Sequence, residues 1–199
     1  MFRQKSVYCH KNGMPNLYII SGCNGAGKTT ASYTVLPEIL ECKEFVNADE
    51  IARGISPFQP ERVAIQAGRL MLNRIASLME KRVDFAFETT LATKSYVNLI
   101  RKAKENSYFV TLVFFWLNSP ELALERVRLR VQSGGHNIPQ KVVYRRYHAG
   151  LKNFNKLYRP IADYWMIFDN SSRPEVFVAE GFGDKEAKVY VPTTFKKLN

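Results

Sequence analysis

The sequence is poor in the features that mark secreted, zinc-bound and membrane-spanning proteins. It contains three cysteines among 199 residues, Cys9, Cys23 and Cys42. Their odd number and lack of metal-ligand spacing predict neither a disulfide framework nor a zinc site. No apolar run reaches 18 residues, so no transmembrane helix is predicted. The first 13 residues also lack an apolar stretch of signal-peptide length. A reducing cytoplasm is therefore the predicted location.

Acidic residues are scarce relative to basic ones. The chain carries 29 Lys and Arg against 18 Asp and Glu, a formal net charge of +11. This excess favours anionic partners such as phosphates, nucleotides, nucleic acid or an acidic protein, and charge alone does not separate these classes. No repeat, low-complexity stretch or linker divides the sequence, so residues 1–199 are predicted to form one domain.

Short apolar runs alternate with helical patterns along the chain. Strands are predicted at 17–20, 45–46, 83–87, 109–117 and 164–168, with shorter ones near 176–179 and 189–191. Helices are predicted over 28–36, 60–81, about 97–103, 120–131 and 139–158. Alternation of strand and helix predicts a parallel sheet covered by helices on both faces, which is an α/β fold.

A glycine-rich phosphate loop follows the first predicted strand. Residues 22–29 read Gly-Cys-Asn-Gly-Ala-Gly-Lys-Thr and match G-x-x-x-x-G-K-[ST]. Such glycines let backbone N–H groups surround phosphate oxygens, while Lys28 neutralises the β- and γ-phosphates and the Thr29 hydroxyl coordinates Mg²⁺. The motif predicts a site for ATP or GTP with Mg²⁺. The predicted binding residues are Gly22, Asn24, Gly25, Ala26, Gly27, Lys28, Thr29 and Thr30.

Polar residues follow the other predicted strands. Asp49 comes after the second strand and Glu88 after the third, and ligands bind outside the carboxyl ends of strands in an open parallel sheet. A kinase needs a carboxylate on the attacking hydroxyl and a group that completes the Mg²⁺ shell, and these acids are placed for both tasks. An N-cap role is the alternative for Asp49. Asn170, after the fifth strand, is predicted either to contact the nucleotide base or to belong to an Asx turn.

Arginines bracket a glycine hinge, Gly134-Gly135, in the second half of the chain. They are Arg126, Arg128, Arg130, Arg145 and Arg146. Arginines on a closing segment can stabilise charge on the γ-phosphate, so residues 126–158 are predicted to form a helical lid. A solvated basic face is the alternative. His136 has no His or Cys at ligand spacing, so no metal role is predicted for it, and Tyr147 and His148 are predicted to be packing or surface residues.

Taken together, these motifs resemble the zeta-toxin family of P-loop kinases over about residues 15–180. The segments that carry the resemblance are 22–30, 47–49, 87–91, 128–139, 145–147 and 169–171. The resemblance implies a nucleotide-kinase-like three-layer sandwich with a five-stranded parallel core sheet and a short C-terminal β extension. It also implies phosphorylation of a nucleotide sugar, with UDP-N-acetylglucosamine as the acceptor in the best-known members.

The resemblance also implies roles for single residues. Lys28 and Thr29 look like the phosphate and Mg²⁺ residues, Asp49 like the base on the acceptor hydroxyl, and Arg145 or Arg146 like the lid arginine on the γ-phosphate. Glu88 looks like an acceptor-sugar contact, joined there by Thr89 and Thr90. The segment Thr89-Thr90-Leu91-Ala92 replaces a more glycine-rich turn, so the acceptor pocket is expected to differ. The choice between ATP and GTP and an antitoxin-like protein partner stay open.

Two other functions compete with a nucleotide-sugar kinase. One is a kinase for another hydroxyl acceptor, such as a sugar, an antibiotic or a polynucleotide end. The other is a nucleotide-dependent nucleic-acid-binding protein, which the net charge of +11 favours. The basic residues gather around Gly134 and in the C-terminal tail without a nucleic-acid-binding motif, so nucleic acid is not the predicted partner.

Overall fold

The computed structural model describes residues 13–38, 40–135, 137–185 and 187–198; Cys9 and His136 lie outside these ranges. The strands are β1 (Asn16–Gly22), β2 (Phe45–Val46), β3 (Phe85–Thr89), β4 (Phe109–Trp116), β5 (Tyr164–Asp169), β6 (Val176–Gly181) and β7 (Lys188–Val189). The helices are α1 (Lys28–Glu38), α2 (Ala48–Ile55), α3 (Ala64–Glu80), α4 (Tyr96–Glu105), α5 (Pro120–Gln132), α6 (Gln140–Asn153) and α7 (Pro192–Leu198). A 3-10 turn, Pro60–Val63, precedes α3, and a π-helical turn, Phe154–Tyr158, with a 3-10 turn, Arg159–Ile161, follows α6.

All of these strands form one sheet in the order β2-β3-β1-β4-β5-β6-β7. The first five strands of this order are parallel, and β6 and β7 continue the sheet in antiparallel pairing. The predicted five-stranded parallel core and C-terminal β extension are therefore confirmed. β1 is buried along its whole length at the centre of the parallel part, so the loop that follows it has strand ends on both sides.

The sheet separates two apolar cores, because successive side chains of a strand point to opposite faces. On β1, Leu17 and Ile19 belong to the core that also contains residues of α3, α4 and α7. Tyr18 and Ile20 belong to the other core, with residues of α1, α5 and α6. Helices thus cover both faces of the sheet, which confirms the predicted three-layer α/β architecture.

Two segments are predicted to begin at least two residues too early. The third strand begins at Phe85 rather than Val83, because the Asp84 carboxylate accepts hydrogen bonds from the Asn16 backbone N–H at 2.7 Å and its side-chain amide at 3.1 Å. Val83 is left 38% exposed. The helix predicted from residue 60 starts as the 3-10 turn, and Leu70, expected on its apolar face, is 43% exposed.

The C-terminal helix α7 was missed, because its sequence, Pro-Thr-Thr-Phe-Lys-Lys-Leu, is too short and polar to show a helical period. Leu198 is nevertheless 2% exposed and packs in the core under β6, and the Asn155 side-chain amide donates to its carbonyl oxygen. Within the described residues, no helix combines the length and apolar character needed to cross a membrane.

We predict that Leu198→Ala lowers the free energy of unfolding by about 2–4 kcal/mol, because buried methyl groups are lost and a cavity remains. Urea denaturation measures this difference. Lys197→Ala, at the exposed neighbouring position, is the control and should change the free energy of unfolding by less than about 0.5 kcal/mol. Equal stability of the two variants would contradict the docking of α7 on the core.

Candidate active site

Three glycines of the phosphate loop, Gly22, Gly25 and Gly27, have a positive φ and a close neighbour where a Cβ would lie. Gly22 has a φ of +140°, and a Cβ there would clash with the carbonyl oxygen of Phe115. Gly27 has a φ of +80°, and a Cβ there would clash with the side-chain amide nitrogen of Asn170. The left-handed backbone and the close approach of β4 and of the segment after β5 therefore fix the path of the phosphate loop.

The side chains at the start of α1 gather on one carboxylate. Lys28 is 6% exposed, and its Nζ donates to the carbonyl oxygen of Cys23 at 2.9 Å and lies 3.4 Å from Glu88 Oε1. The Thr29 hydroxyl donates to Glu88 Oε2 at 2.7 Å. Glu88 is on β3, the neighbour of β1, so the strand pairing brings this acid to the phosphate loop. A carboxylate that is 11% exposed requires such partners.

Asn47 connects Glu88 to the acid after β2. Its side-chain amide donates to Glu88 Oε2 at 2.9 Å. Its Oδ1 accepts from the backbone N–H of Asp49 at 2.8 Å and of Glu50 at 3.4 Å, so Asn47 is the N-cap of α2. The alternative N-cap role of Asp49 is therefore wrong. The sequence analysis included Asn47 in the motif 47–49 but missed its contact with Glu88, although Asn at the start of a helix with two acids in its first turn is a capping signature.

One of the two candidate arginines reaches the loop. Arg146, on α6, donates from Nη1 to Asn24 Oδ1 at 3.2 Å, whereas the side chain of Arg145 is exposed. Burial lowers the pKa of Arg146; the carboxylate of Asp49 acts in the opposite direction and Arg145 lowers the pKa further. A guanidinium stays charged at neutral pH despite such a shift. Arg146 therefore places a positive charge between Asn24 and the side of the site where Asp49 lies.

A second group of contacts holds the loop from the side of β5. The Asn170 side-chain amide donates to the Ala26 carbonyl oxygen at 2.8 Å. Arg126 donates to the Ser171 carbonyl oxygen at 3.2 Å. Ser171 in turn donates its backbone N–H to Asp169 Oδ1 at 2.9 Å, so the Asx turn considered for this segment is present and Asn170 contacts the phosphate loop as well.

Strand order divides the site into two sides. β2 and β3 lie on one side of β1, with Asp49 and Glu88 at their carboxyl ends, and β4 and β5 lie on the other, with Asn170 beyond β5. Of the other predicted site residues, Thr30 is exposed and Thr89 is buried with its hydroxyl accepting from the Leu91 N–H at 3.1 Å. Thr90 is half-buried on the β3 side.

Arg126 and Arg130, four residues apart on one face of α5, are both half-buried, while Arg128 is exposed. On α6, Tyr147 is buried, its hydroxyl donates to the Leu117 carbonyl oxygen at 2.7 Å, and His148 is exposed. The packing and surface roles predicted for these two residues are consistent with this arrangement.

Fold and loop together define a class, the P-loop kinases. A sequence profile described as zeta toxin matches residues 1–180. A Haemophilus influenzae protein of uncharacterized function is 32% identical over 126 residues, which is 63% of this chain and 88% of that protein. The chain belongs to the zeta toxin family, and it is an ATP-dependent kinase by family and fold.

Solved structures share the fold at low sequence identity. The AvrRxo1-ORF1:AvrRxo1-ORF2 complex solved with sulphate ions aligns with a TM-score of 0.76 at 18% identity, over 99% of this chain and 66% of that one. The same pair solved with ATP aligns with a TM-score of 0.74 at 18% identity over the same shares. A structure from the PezAT toxin–antitoxin system of Streptococcus pneumoniae aligns at 0.64 and 15% identity, over 96% of this chain and 82% of that one. The chain thus spans 66% of the AvrRxo1 chain it matches.

Cys23 of the phosphate loop is 6% exposed and packs in the core that contains residues of α1, α5 and α6. Burial raises the pKa of its thiol from its ordinary value of 9.0 to about 11, and the nearby Lys28 acts in the opposite direction. The thiol is therefore neutral at physiological pH and a poor nucleophile. The folded chain keeps the Cys23 proton at pH values where the unfolded chain has lost it. The neutral thiol therefore contributes its full share to the free energy of unfolding below pH 9, and this contribution is lost between pH 9 and about 11.

We predict that Cys23→Ala flattens the fall in the free energy of unfolding over that pH range, by on the order of 2 kcal/mol. Urea denaturation of both proteins at pH 8, 9.5 and 10.5 gives the two slopes. The comparison of slopes removes the alkaline titration that both proteins share, including that of Cys42. Parallel slopes would mean that the Cys23 thiol ionises as readily in the folded chain as in the unfolded one.

Proposed function

We propose that the protein transfers the γ-phosphate of ATP or GTP, bound with Mg²⁺, to a hydroxyl group of a nucleotide sugar such as UDP-N-acetylglucosamine. The observation that carries this proposal is the contact of Glu88 with both Lys28 and Thr29. Asn47 links Glu88 to the first turn of α2, where the carboxylate of Asp49 acts on Arg146. Nucleotide binding requires only the phosphate loop. A kinase also needs an acid for the acceptor and a cation for the transferred phosphate.

The donor phosphates are proposed to lie in the loop from Gly22 to Gly27, with Lys28 on the β- and γ-phosphate oxygens. Thr30, at the start of α1, is proposed as a further nucleotide-binding residue. On binding, Lys28 would exchange its contact with the Cys23 carbonyl oxygen for phosphate oxygens. Asn170 would hold the loop near the nucleoside, because it already contacts Ala26 on the β5 side. The nucleoside and the acceptor would then approach the transferred phosphate from opposite sides of β1.

A magnesium site at Thr29 fits the donor groups present. Hydroxyl and carboxylate oxygens are ligands that Mg²⁺ accepts, and Mg²⁺ keeps several waters and phosphate oxygens as further ligands. The lack of a cluster of three metal-ligating side chains among the described residues is compatible with such a site. The ion would neutralise charge on the phosphates. We assign Glu88 to the magnesium site, because its Oε2 already accepts from the Thr29 hydroxyl.

Asp49 is the proposed base on the acceptor hydroxyl. It is exposed in the first turn of α2, at the end of β2 and one strand away from Glu88. Its backbone is fixed by the Asn47 cap while its side chain remains accessible to an acceptor. We propose that Thr90 and the turn that begins at Thr89 form the acceptor pocket with Asp49, since they are on the same side of β1.

Arg146 is the proposed cation for the transferred phosphate, with Arg145 as a second, outer charge. Arg146 contacts Asn24 of the phosphate loop, and we propose that its guanidinium turns from there to the γ-phosphate. The predicted lid over residues 126–158 remains a proposal. Buried Val127 on α5 and Val143 on α6 anchor both helices, so we place the moving part around Gly134 and Gly135.

We further propose a cytoplasmic location and an inhibitory protein partner. The Streptococcus pneumoniae structure comes from a toxin–antitoxin system, and the AvrRxo1 structures are of a protein pair. Size-exclusion chromatography of the chain from its own host tests the partner. A chain that elutes alone and is fully active would argue against it, and cell fractionation tests the location.

The reaction is tested by incubating the protein with γ-labelled ATP, Mg²⁺ and a panel of UDP-sugars, nucleosides, simple sugars, aminoglycosides and oligonucleotides. We expect label on a UDP-sugar and no label with Lys28→Ala, because the charge that holds the phosphates is lost. Label on another hydroxyl acceptor would reject the nucleotide sugar and keep the kinase. Tight, salt-sensitive RNA or DNA binding without labelling of any acceptor would favour the nucleic-acid-binding alternative.

Separate roles for the two acids predict separate kinetic effects. Asp49→Asn should leave the KM for ATP within about twofold and lower kcat by at least about 100-fold, because the base is lost while the donor site is intact. Glu88→Gln should raise the Mg²⁺ concentration needed for half-maximal rate by about tenfold or more, because Thr29 and Lys28 lose their anionic partner. Turnover is measured across a Mg²⁺ titration. A changed Mg²⁺ requirement in Asp49→Asn, or an unchanged one in Glu88→Gln, contradicts the assignment.

A further inference from the structure

One face of α6 contacts both sides of the site. Arg146, Gly150 and Asn153 are spaced by four and three residues, so their side chains lie along one stripe of the helix. At one end of the stripe Arg146 donates to Asn24 of the phosphate loop. At the other end the buried Asn153 side-chain amide donates to the Leu91 carbonyl oxygen at 2.8 Å. The stripe spans about 10 Å along the helix axis.

Gly150 lies between these two contacts, where the helix approaches the chain after β3. A Cβ at this position would clash with the carbonyl oxygen of Thr90. Glycine weakens a helix relative to alanine, so its presence inside α6 calls for a local reason. Close approach of the helix to the Thr90 carbonyl supplies that reason.

The turn contacted by Gly150 and Asn153 directly follows Glu88. Leu91 in this turn is fully buried with a φ of +55°, in the left-handed region that costs energy for a leucine. Its N–H donates to the Thr89 hydroxyl and its carbonyl oxygen accepts from Asn153. The strained turn is thus held from within by Thr89 and from outside by α6, which makes its position dependent on that helix.

We propose that Gly150 and Asn153 are positioning residues for phosphoryl transfer. Through one rigid helix they fix the turn after Glu88 relative to the guanidinium of Arg146, and so align the acceptor side of the site with the donor side. The helix can do this because Val143 and Tyr147 bury its neighbouring face in the core. Displacement of reacting groups by about 1 Å can cost about 100-fold in rate. This inference rests on the roles proposed for Glu88 and Arg146.

The test uses Asn153→Leu, which removes the N–H donor at similar size, and Gly150→Ala. We expect each to lower kcat about 10- to 100-fold with a KM for ATP within about twofold of wild type, since the phosphate loop is untouched. Turnover is followed as γ-phosphate transfer from ATP to UDP-N-acetylglucosamine, or to the acceptor labelled in the panel. Lys152→Ala, exposed beside Asn153, and Gly68→Ala, in α3 with open space around its Cα, should keep wild-type turnover.

A double-mutant cycle with Arg146→Ala separates positioning from a general role in folding. If Asn153 acts through Arg146, Asn153→Leu should lower kcat by less than about threefold in the Arg146→Ala background. The inference is overturned if the kcat losses of Asn153→Leu and Arg146→Ala multiply in full in the double variant. Wild-type kcat in both Asn153→Leu and Gly150→Ala also overturns it. If Asn153→Leu does not fold, the same cycle with Gly150→Ala decides; if neither folds, the contacts serve folding and the inference fails.

Failure of the proposed function has a different signature. It would appear as a wild-type protein that labels no acceptor, or as Lys28→Ala that transfers phosphate as fast as wild type. An Arg146→Ala variant with wild-type turnover would remove both the proposed arginine and the positioning that depends on it. If wild type is active and both Lys28→Ala and Arg146→Ala are impaired, the proposed function stands. Losses of kcat that multiply in the double-mutant cycle then reject only the positioning role of Gly150 and Asn153.

Discussion

The carboxylate of Glu88 is the group on which the rest of the site depends. It is held under the phosphate loop by the ammonium of Lys28, the hydroxyl of Thr29 and the amide of Asn47. Removing a charged group from water is costly unless partners replace the solvent, and an unpaired charge here would be strongly destabilising. These contacts tie the ends of β1, β2 and β3 together. Under the proposed function, the Lys28 ammonium and the Thr29 hydroxyl that satisfy this buried charge are also the groups that contact the nucleotide and its metal ion.

Much of this arrangement was predictable from local sequence, because the interactions that decide it are local. Short apolar runs predict the central strands, and the phosphate loop is predicted by a pattern in which each residue type has a steric or electrostatic reason. Asp49 and Glu88 were found by one topological rule about strand ends. The start of β3 was missed because it is set by Asp84, whose partner Asn16 is distant in sequence, and α7 was missed because packing rather than periodicity stabilises it.

Other parts of the site could not be predicted because they depend on which way a side chain points. The sequence does not distinguish Arg145 from Arg146. The orientation of α6 in the fold places Arg146 half-buried against the loop and leaves Arg145 exposed. Asn153 has no motif around it, and its bond to Leu91 joins segments 62 residues apart. Gly150 did carry a signal, since an isolated glycine inside a helical pattern often marks close packing. That signal indicates contact without naming the partner, and only the fold supplies the Thr90 carbonyl oxygen.

The two outermost strands of the sheet, β2 and β7, are each two residues long. An edge strand offers its unpaired N–H and C=O groups as a template for strands of other chains, and a long, flat edge invites aggregation. Here each edge is too short to support a stable added strand. Within the described residues, these short edges disfavour association with another chain by β-augmentation. The short edge strands thus protect the sheet from pairing with other chains, while the carboxyl ends of its strands stay accessible to ligands.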